Sequence, residues 1–308
     1  MIINKGQKQV SSIKKEIEEN YNLKIKKLYK NKKDIYFFVN NKKIYIKEID
    51  KTQENKLNEL IKISNELYDK KKHSQTFLIN KDREYTIRYK NKKIALLLAN
   101  ESENTVINFR DVESNIIEIK SNNFPKYYML NEWKKNIDKI ENKLVDYNKE
   151  FPIIMKYANY YIGLAENSIQ LLETLKKENF EYDYLGHANI ENKYDCKRLS
   201  NPLNYIKTIK LYDMANYFKY KFYSDNIDYD ELESIKKYLN DENNKKMFFA
   251  LMVYQGEVFE TMEGILAGEE EEKEMSFYIK KINKLEEFLK YIQEKITKIR
   301  IITWLEEI

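Results

Sequence analysis

The hydrophobic pattern of this chain changes period near residue 100, and that change limits the available folds more than any other feature. Before it, apolar and aromatic residues come in short runs over 23–29, 34–39, 43–49, 75–79, 84–89 and 93–99. These have strand length and β-branched or aromatic content. In Ile44-Tyr45-Ile46-Lys47 the isoleucines fall on one face and Tyr45 and Lys47 on the other, following the two-residue strand period. Asn31-Lys32-Lys33, Asn40-Asn41, Asn80-Lys81-Asp82 and Lys90-Asn91-Lys92 read as turns. Residues 52–70 instead repeat at helical spacing through Glu54, Leu57, Ile61, Ser64 and Tyr68. The expected first lobe, residues 1–100, is three strands, one helix and three strands.

Residues 100–104 are polar and connect to a helical remainder, 101–308. One apolar stripe runs through Trp133, Ile137, Ile140, Leu144 and Tyr147, and a longer one through Ile154, Ala158, Tyr161, Ala165, Ile169, Leu172 and Leu175. A third spans 247–262 and a fourth 279–296. Each is a core-facing helix stripe. Between the second and third lies an irregular patch, 182–204, with Gly186, His187, Cys196 and Pro202. Glu269 to Glu272 lack the spacing of a calcium loop and read as a solvated loop or a negatively charged helix start. The fold class is α+β, with a small β-rich lobe and a large helical one.

Charge narrows the partners. There are 55 basic and 50 acidic residues, but only five of the basic ones are arginine, the usual reader of phosphates and guanine edges. No nucleic-acid partner is expected. No apolar run reaches membrane-spanning length, and the N-terminus lacks a signal-peptide core. One cysteine forms no internal disulfide and fits a reducing compartment. A soluble protein of cytoplasmic synthesis is expected.

Three segments carry a resemblance. Tyr160-Tyr161-Ile162-Gly163-Leu164-Ala165-Glu166-Asn167-Ser168-Ile169-Gln170 is similar to the "YYxGLAENAIQ" helix of the spore-coat kinase-like proteins of CotS/YutH type. Asn201-Pro202-Leu203-Asn204-Tyr205-Ile206, followed by Asp213-Met214-Ala215-Asn216-Tyr217, resembles that family's "NPxxWxx…RDLAEW" stretch. The segment from Phe249 to Glu260 resembles its "YARLLFPLHYFE" helix. The order and spacing extend over roughly residues 25–300. The resemblance implies a protein-kinase-like, two-lobed fold related to aminoglycoside and choline phosphotransferases, and a spore-coat setting.

Phosphoryl transfer on that fold needs a strand lysine with a helix glutamate, a catalytic-loop aspartate, an asparagine five residues later and a metal-binding aspartate. Lys47 stands at the lysine position, with Glu54 as its candidate partner. The catalytic loop reads His187-Ala188-Asn189, an amide where the base belongs, and Tyr194 replaces the later asparagine. His187 then serves the loop's structure. From Ser200 through Tyr212 there is no carboxylate, and Asn201 and Asn204 are poor magnesium ligands. Asp213 corresponds to the structural "DLA" aspartate and is expected to cap its helix. No glycine occurs between Gly6 and Gly163, so no glycine-rich phosphate loop exists there.

Lys47, Glu54, His187, Asn189, Asn201 and Asp213 thus read as a degenerate cleft. No catalytic residue, cofactor or metal is expected. The leading expectation is a pseudokinase, not an enzyme, that is deposited in the spore coat and docks other coat proteins. Its oligomeric state is open. The alternative is an ATP- and magnesium-dependent small-molecule phosphotransferase that recruits displaced acids such as Asp183 or Asp195. A third reading binds nucleotide without turnover.

Overall fold

A computed structural model describes residues 5–31, 34–70, 72, 74–99, 106–120, 124, 126–146, 150–175, 180–188, 199–300 and 302–303. The chain is α+β, as its pattern requires. Helix α1 (Lys5–Tyr21) precedes strands β1 (Tyr29–Asn31), β2 (Asp34–Val39) and β3 (Lys42–Ile49). Helices α2 (Lys51–Asn55) and α3 (Leu57–Asp69) follow, then β4 (Thr76–Phe77), β5 (Thr86–Tyr89) and β6 (Lys92–Leu98). The sheet is antiparallel in the order β1-β2-β3-β6-β4, with β5 also paired to β6. Asn40 and Asn41 (φ 49° and 63°) and Lys90 and Asn91 (φ 46° and 62°) form tight two-residue hairpins in the left-handed region.

Three local readings are corrected. The first strand is short and begins at Tyr29, because Ile25 turns into the core instead. The preceding helix α1 was not expected; it places Ile13, Ile17 and Tyr21 on the sheet face of Phe37, Ile44, Ile46, Ile94 and Leu96. The single helix over 52–70 is two. Asp50 caps α2 through a capping box with Gln53, and the chain breaks at Lys56 (φ −112°).

The described residues fall into two compact units. One takes in Met1–Pro125, His187–Asn189 and Asp195–Ile206; the other takes in Lys126–Gly186, Ile190–Tyr194 and Lys207–Ile308. The second begins its helices with α5 (Met129–Asp146), after α4 (Phe109–Ser114) of the first. Proline at the start of α6 (Pro152–Glu173) suits a position whose N–H has no partner within the helix. The two expected stripes are buried from Trp133 to Leu144 and from Ile154 to Leu175; Tyr147 lies outside the described residues.

Strands β7 (Tyr184–His187) and β8 (Tyr205–Thr208) pair as a two-stranded sheet; β7 lies within the stretch read as irregular, and β8 begins just beyond it. Beyond it come α7 (Tyr212–Tyr223), α8 (Tyr229–Glu233), α9 (Glu242–Val253), α10 (Gly256–Leu266), α11 (Met275–Ile279) and α12 (Ile282–Tyr291). The third stripe is divided between α9 and α10. Buried Gln255 donates to the carbonyls of Met252 and Val253 and accepts from the Tyr223 hydroxyl, closing one helix before the next begins. Among the described residues no helix is long and apolar enough to cross a membrane.

Candidate functional site

In the first unit, β3 lies between β2 and β6, and Lys47 sits opposite Ala95 in register. Its Nζ lies 2.6 Å from Oδ1 of Asp34 at the start of β2, with 20% and 16% of the two side chains exposed. The ammonium also lies 5.4 Å from the centre of the Tyr45 ring. Glu54 does not reach Lys47; its carboxylate lies 3.4 Å from Lys93 of β6. The strand lysine therefore has a carboxylate partner, but from the neighbouring strand. Sequence reasoning looked for it on a helix and missed it.

His187 is buried at the end of β7, and its ring meets the Tyr205 ring edge-on at 5.1 Å. The next amide, Ala188 N–H, donates to the Asn204 carbonyl at 2.8 Å. Asn201 caps the short turn Pro202–Asn204 by accepting from Leu203 N–H, and its amide reaches Asn204 at 3.4 Å. Both asparagines thus shape the loop. Asn189, the residue at the catalytic-base position, lies outside the described residues, as do Tyr194, Asp195, Cys196 and His73.

Lys56, unnoticed among the lysines, fixes this segment. Its buried ammonium donates to the Tyr205 carbonyl at 2.8 Å and lies 5.0 Å from the Phe124 ring centre. Burial lowers its pKa, with Asp50 opposing. The Tyr205 hydroxyl bonds Ser74 Oγ at 2.9 Å, Gln75 N–H donates to Ser200 O at 2.7 Å, and Gln53 donates to Leu203 O at 3.3 Å. No local pattern marks these partners.

In the second unit, Asp183 just before β7 lies 3.0 Å from Lys207 and 3.7 Å from Lys126. The Lys207 hydrogen bond leads in holding its carboxyl below the usual range, and both ammonium charges add to it. Asp183 is therefore engaged by two cations. Gly186 packs against Thr208, so a Cβ there would stand 2.3 Å from Thr208 Cγ2 and 3.4 Å from Asp213 Oδ1. Asp213 is buried in the first turn of α7 but is not its cap; Leu211 holds that position. The aspartate comes two residues after the cap position, because Tyr212 is already helical.

Strand β8, where a metal-binding carboxylate is needed, reads Tyr205-Ile206-Lys207-Thr208. Among the described residues no three His, Cys, Asp or Glu side chains converge on a metal position.

A polar cluster further along the same unit surrounds Lys219 of α7. Its Nζ donates to the Tyr254 carbonyl at 3.2 Å. Burial pushes its pKa down to about 8 against the opposing pull of Glu257 and Glu260. Tyr254 stacks on Trp133 with ring centres 4.1 Å apart, and its hydroxyl meets Asn136 at 3.1 Å.

A protein-family model described as "Spore coat putative kinase YutH" matches residues 14–298. Among solved structures, an aminoglycoside phosphotransferase from Alicyclobacillus acidocaldarius superposes with a TM-score of 0.62 at 8% identity, covering 91% of this chain and 95% of that one. Spectinomycin phosphotransferase APH(9)-Ia, in complex with ADP and spectinomycin, superposes with a TM-score of 0.56 at 11% identity, covering 93% and 94%. Its AMP-bound complex gives 0.54 at 10% identity, covering 89% and 95%. At these identities the likeness is one of fold. No curated protein matches the chain.

These matches correct the expectation of a non-enzyme: the family description says kinase, and the matched folds are those of phosphotransferases. That expectation rested on acids missing at fixed spacings. Spacing also named the wrong partner for the strand lysine, which pairs with Asp34 while Glu54 goes to Lys93.

Proposed function

The chain belongs to the spore coat kinase family named for YutH, and from that premise we propose that it is an ATP-consuming phosphotransferase acting on a small molecule in the spore coat. The observation that carries this reading is the Lys47–Asp34 pair on adjacent strands, at 2.6 Å and largely shielded from water. A strand lysine steadied by a carboxylate is the device that neutralises nucleotide phosphates during phosphoryl transfer. In this reading Lys47 takes phosphate oxygens and Asp34 fixes its ammonium in place. The sheet-bearing lobe, residues 1–100, holds the nucleotide, and the helical lobe, residues 101–308, receives the acceptor. A small-molecule acceptor is supported by the names of the matched phosphotransferases. Docking to other coat proteins after cytoplasmic synthesis completes the proposal and rests on the family alone.

The test is a thermal-shift titration with ATP and ADP, with and without magnesium, alongside assays of ATP consumption. The wild type is expected to be stabilised saturably, by about 2.7 kcal/mol at a hundredfold excess over Kd. Lys47→Ala should lose that gain and the turnover. Absence of nucleotide stabilisation in the wild type, or full retention in Lys47→Ala, defeats the reading.

A further inference from the structure

Strand β1 ends its sheet: among the described residues it pairs with β2 alone, and Tyr29, Lys30 and Asn31 are all exposed. The chain leading into and through it is basic, with six lysines and no acid in residues 23–33. Lys24, Lys26, Lys27 and Lys30 are exposed, as is Lys42 at the start of β3. Among the described residues none of these five has an ion pair with a carboxylate. The acids of the neighbouring elements are engaged elsewhere. Glu18 accepts from the Ile25 N–H at 2.7 Å and Glu16 from the Asn20 amide. Glu19 lies beside Lys15, Asp34 beside Lys47 and Glu48 beside Lys92.

Aromatic rings stand among these lysines. Tyr29 is 37% and Phe38 44% exposed. Tyr29 stacks on Tyr36, its partner in register, with ring centres 5.4 Å apart, and Phe38 lies nearly perpendicular to both at 5.7 and 5.9 Å. Lys27 Nζ lies 5.1 Å from the Tyr29 ring centre, and Lys43 Nζ lies 4.8 Å from that of Tyr36. Lysines alone serve to keep a sheet edge from pairing with another chain. Exposed rings beside them work against that, because they offer apolar area to a partner.

The arrangement also selects the kind of partner. The ring faces are turned to one another and to ammonium groups, which leaves little face for a nucleic-acid base to stack on. Ring edges carry the positive end of the quadrupole and, like the ammonium groups, suit carboxylates. One exposed ion pair contributes little, so several must act together, which a run of acids supplies and a small anion does not. The outer edge of β1 adds a row of backbone groups suited to an extended polypeptide. We infer that this edge docks an acidic, extended segment of a partner protein. Its carboxylates meet the five lysines, and its apolar side chains meet Tyr29 and Phe38. This gives a surface and a chemistry to the docking part of the proposed function, and rests on that part for its setting; phosphotransfer plays no role in it.

Fluorescence anisotropy of labelled probes with the full chain, at physiological ionic strength, tests the site. The probes are a glutamate-rich peptide, its glutamine counterpart and oligothymidylate of equal charge. The glutamate peptide is expected to bind saturably, at least tenfold more weakly to Lys27→Glu combined with Lys30→Glu, and more weakly to Phe38→Ser. The same charge change at exposed Lys210 and Lys280, as Lys210→Glu with Lys280→Glu, should leave binding unchanged. All the altered side chains are exposed, and equal melting temperatures would show that the variants fold. The proposal fails if the glutamate peptide does not bind, if the glutamine peptide binds as tightly, or if oligothymidylate binds more tightly. It fails too if the distant charge change weakens binding as much. Self-association of the wild type that Lys27→Glu with Lys30→Glu abolishes, seen by sedimentation, would replace the partner with a second copy. No arm uses nucleotide triphosphate, so failure here leaves the phosphotransferase reading standing.

Discussion

Gly186 and Thr208 show how one residue can hold two strands at close range. The backbone dihedral of Gly186 needs no glycine, but a methyl group would stand 2.3 Å from Thr208 Cγ2. Gly186→Ala must push β7 away from β8, at a cost of about 1–3 kcal/mol. Urea unfolding of wild type and variant checks this, and equal midpoints would remove the packing argument. Lys219 makes a prediction about pH. Its folded pKa is about 8, against the usual 10.5. Between those values the unfolded chain holds more protons, so unfolding free energy rises with pH through that window. Wild type measured against Lys219→Met should gain stability from pH 8 to 10. A difference that stays flat or falls would mean that Lys219 is not held in a penalising environment.

Among the elements, α1 is the one that sequence reasoning missed although its signal was present. Ile13, Ile17 and Tyr21 recur every four residues, the spacing of one helix face, within a stretch otherwise rich in lysine, glutamate and asparagine. Ile17 is fully buried against the sheet. Ile17→Ala should cost about 2–5 kcal/mol, measured by denaturant unfolding. A loss below 1 kcal/mol would mean that α1 is not part of the core. Where one stripe was read as one helix, the breaks come from side chains acting on the backbone. Lys56 reaches into the protein to a carbonyl, and Gln255 closes the carbonyls of α9. Apolar periodicity passes through such residues without recording them.

At the scale of the molecule, segment 199–206 lies far along the chain from the sheet yet belongs to the same compact unit. Ser64, Ser74, Lys56 and Tyr205 form the connection through hydrogen bonds. If that unit opens cooperatively, Ile17→Ala should lower amide-exchange protection in β3, β6 and residues 205–206 together while leaving 256–291 unchanged. Loss of protection confined to α1 would show that the segment is held independently. The α+β architecture was legible from the change of period, and three short motifs pointed to the family that the match over 14–298 establishes. Catalytic standing was not legible, because it was judged from residues missing at fixed spacings.

The sequence by itself determined the change from strands to helices near residue 100 and the core-facing stripes of the long helices, since strand and helix periods are local properties of the backbone. It also placed Lys47 on its strand. Only the tertiary structure decided that Lys47 pairs with Asp34, that Glu54 goes to Lys93, and that Asp183 is held by Lys207 and Lys126. In a chain with 55 basic and 50 acidic residues nearly every charge has many possible partners. Proximity through space selects among them, and neither composition nor spacing encodes it.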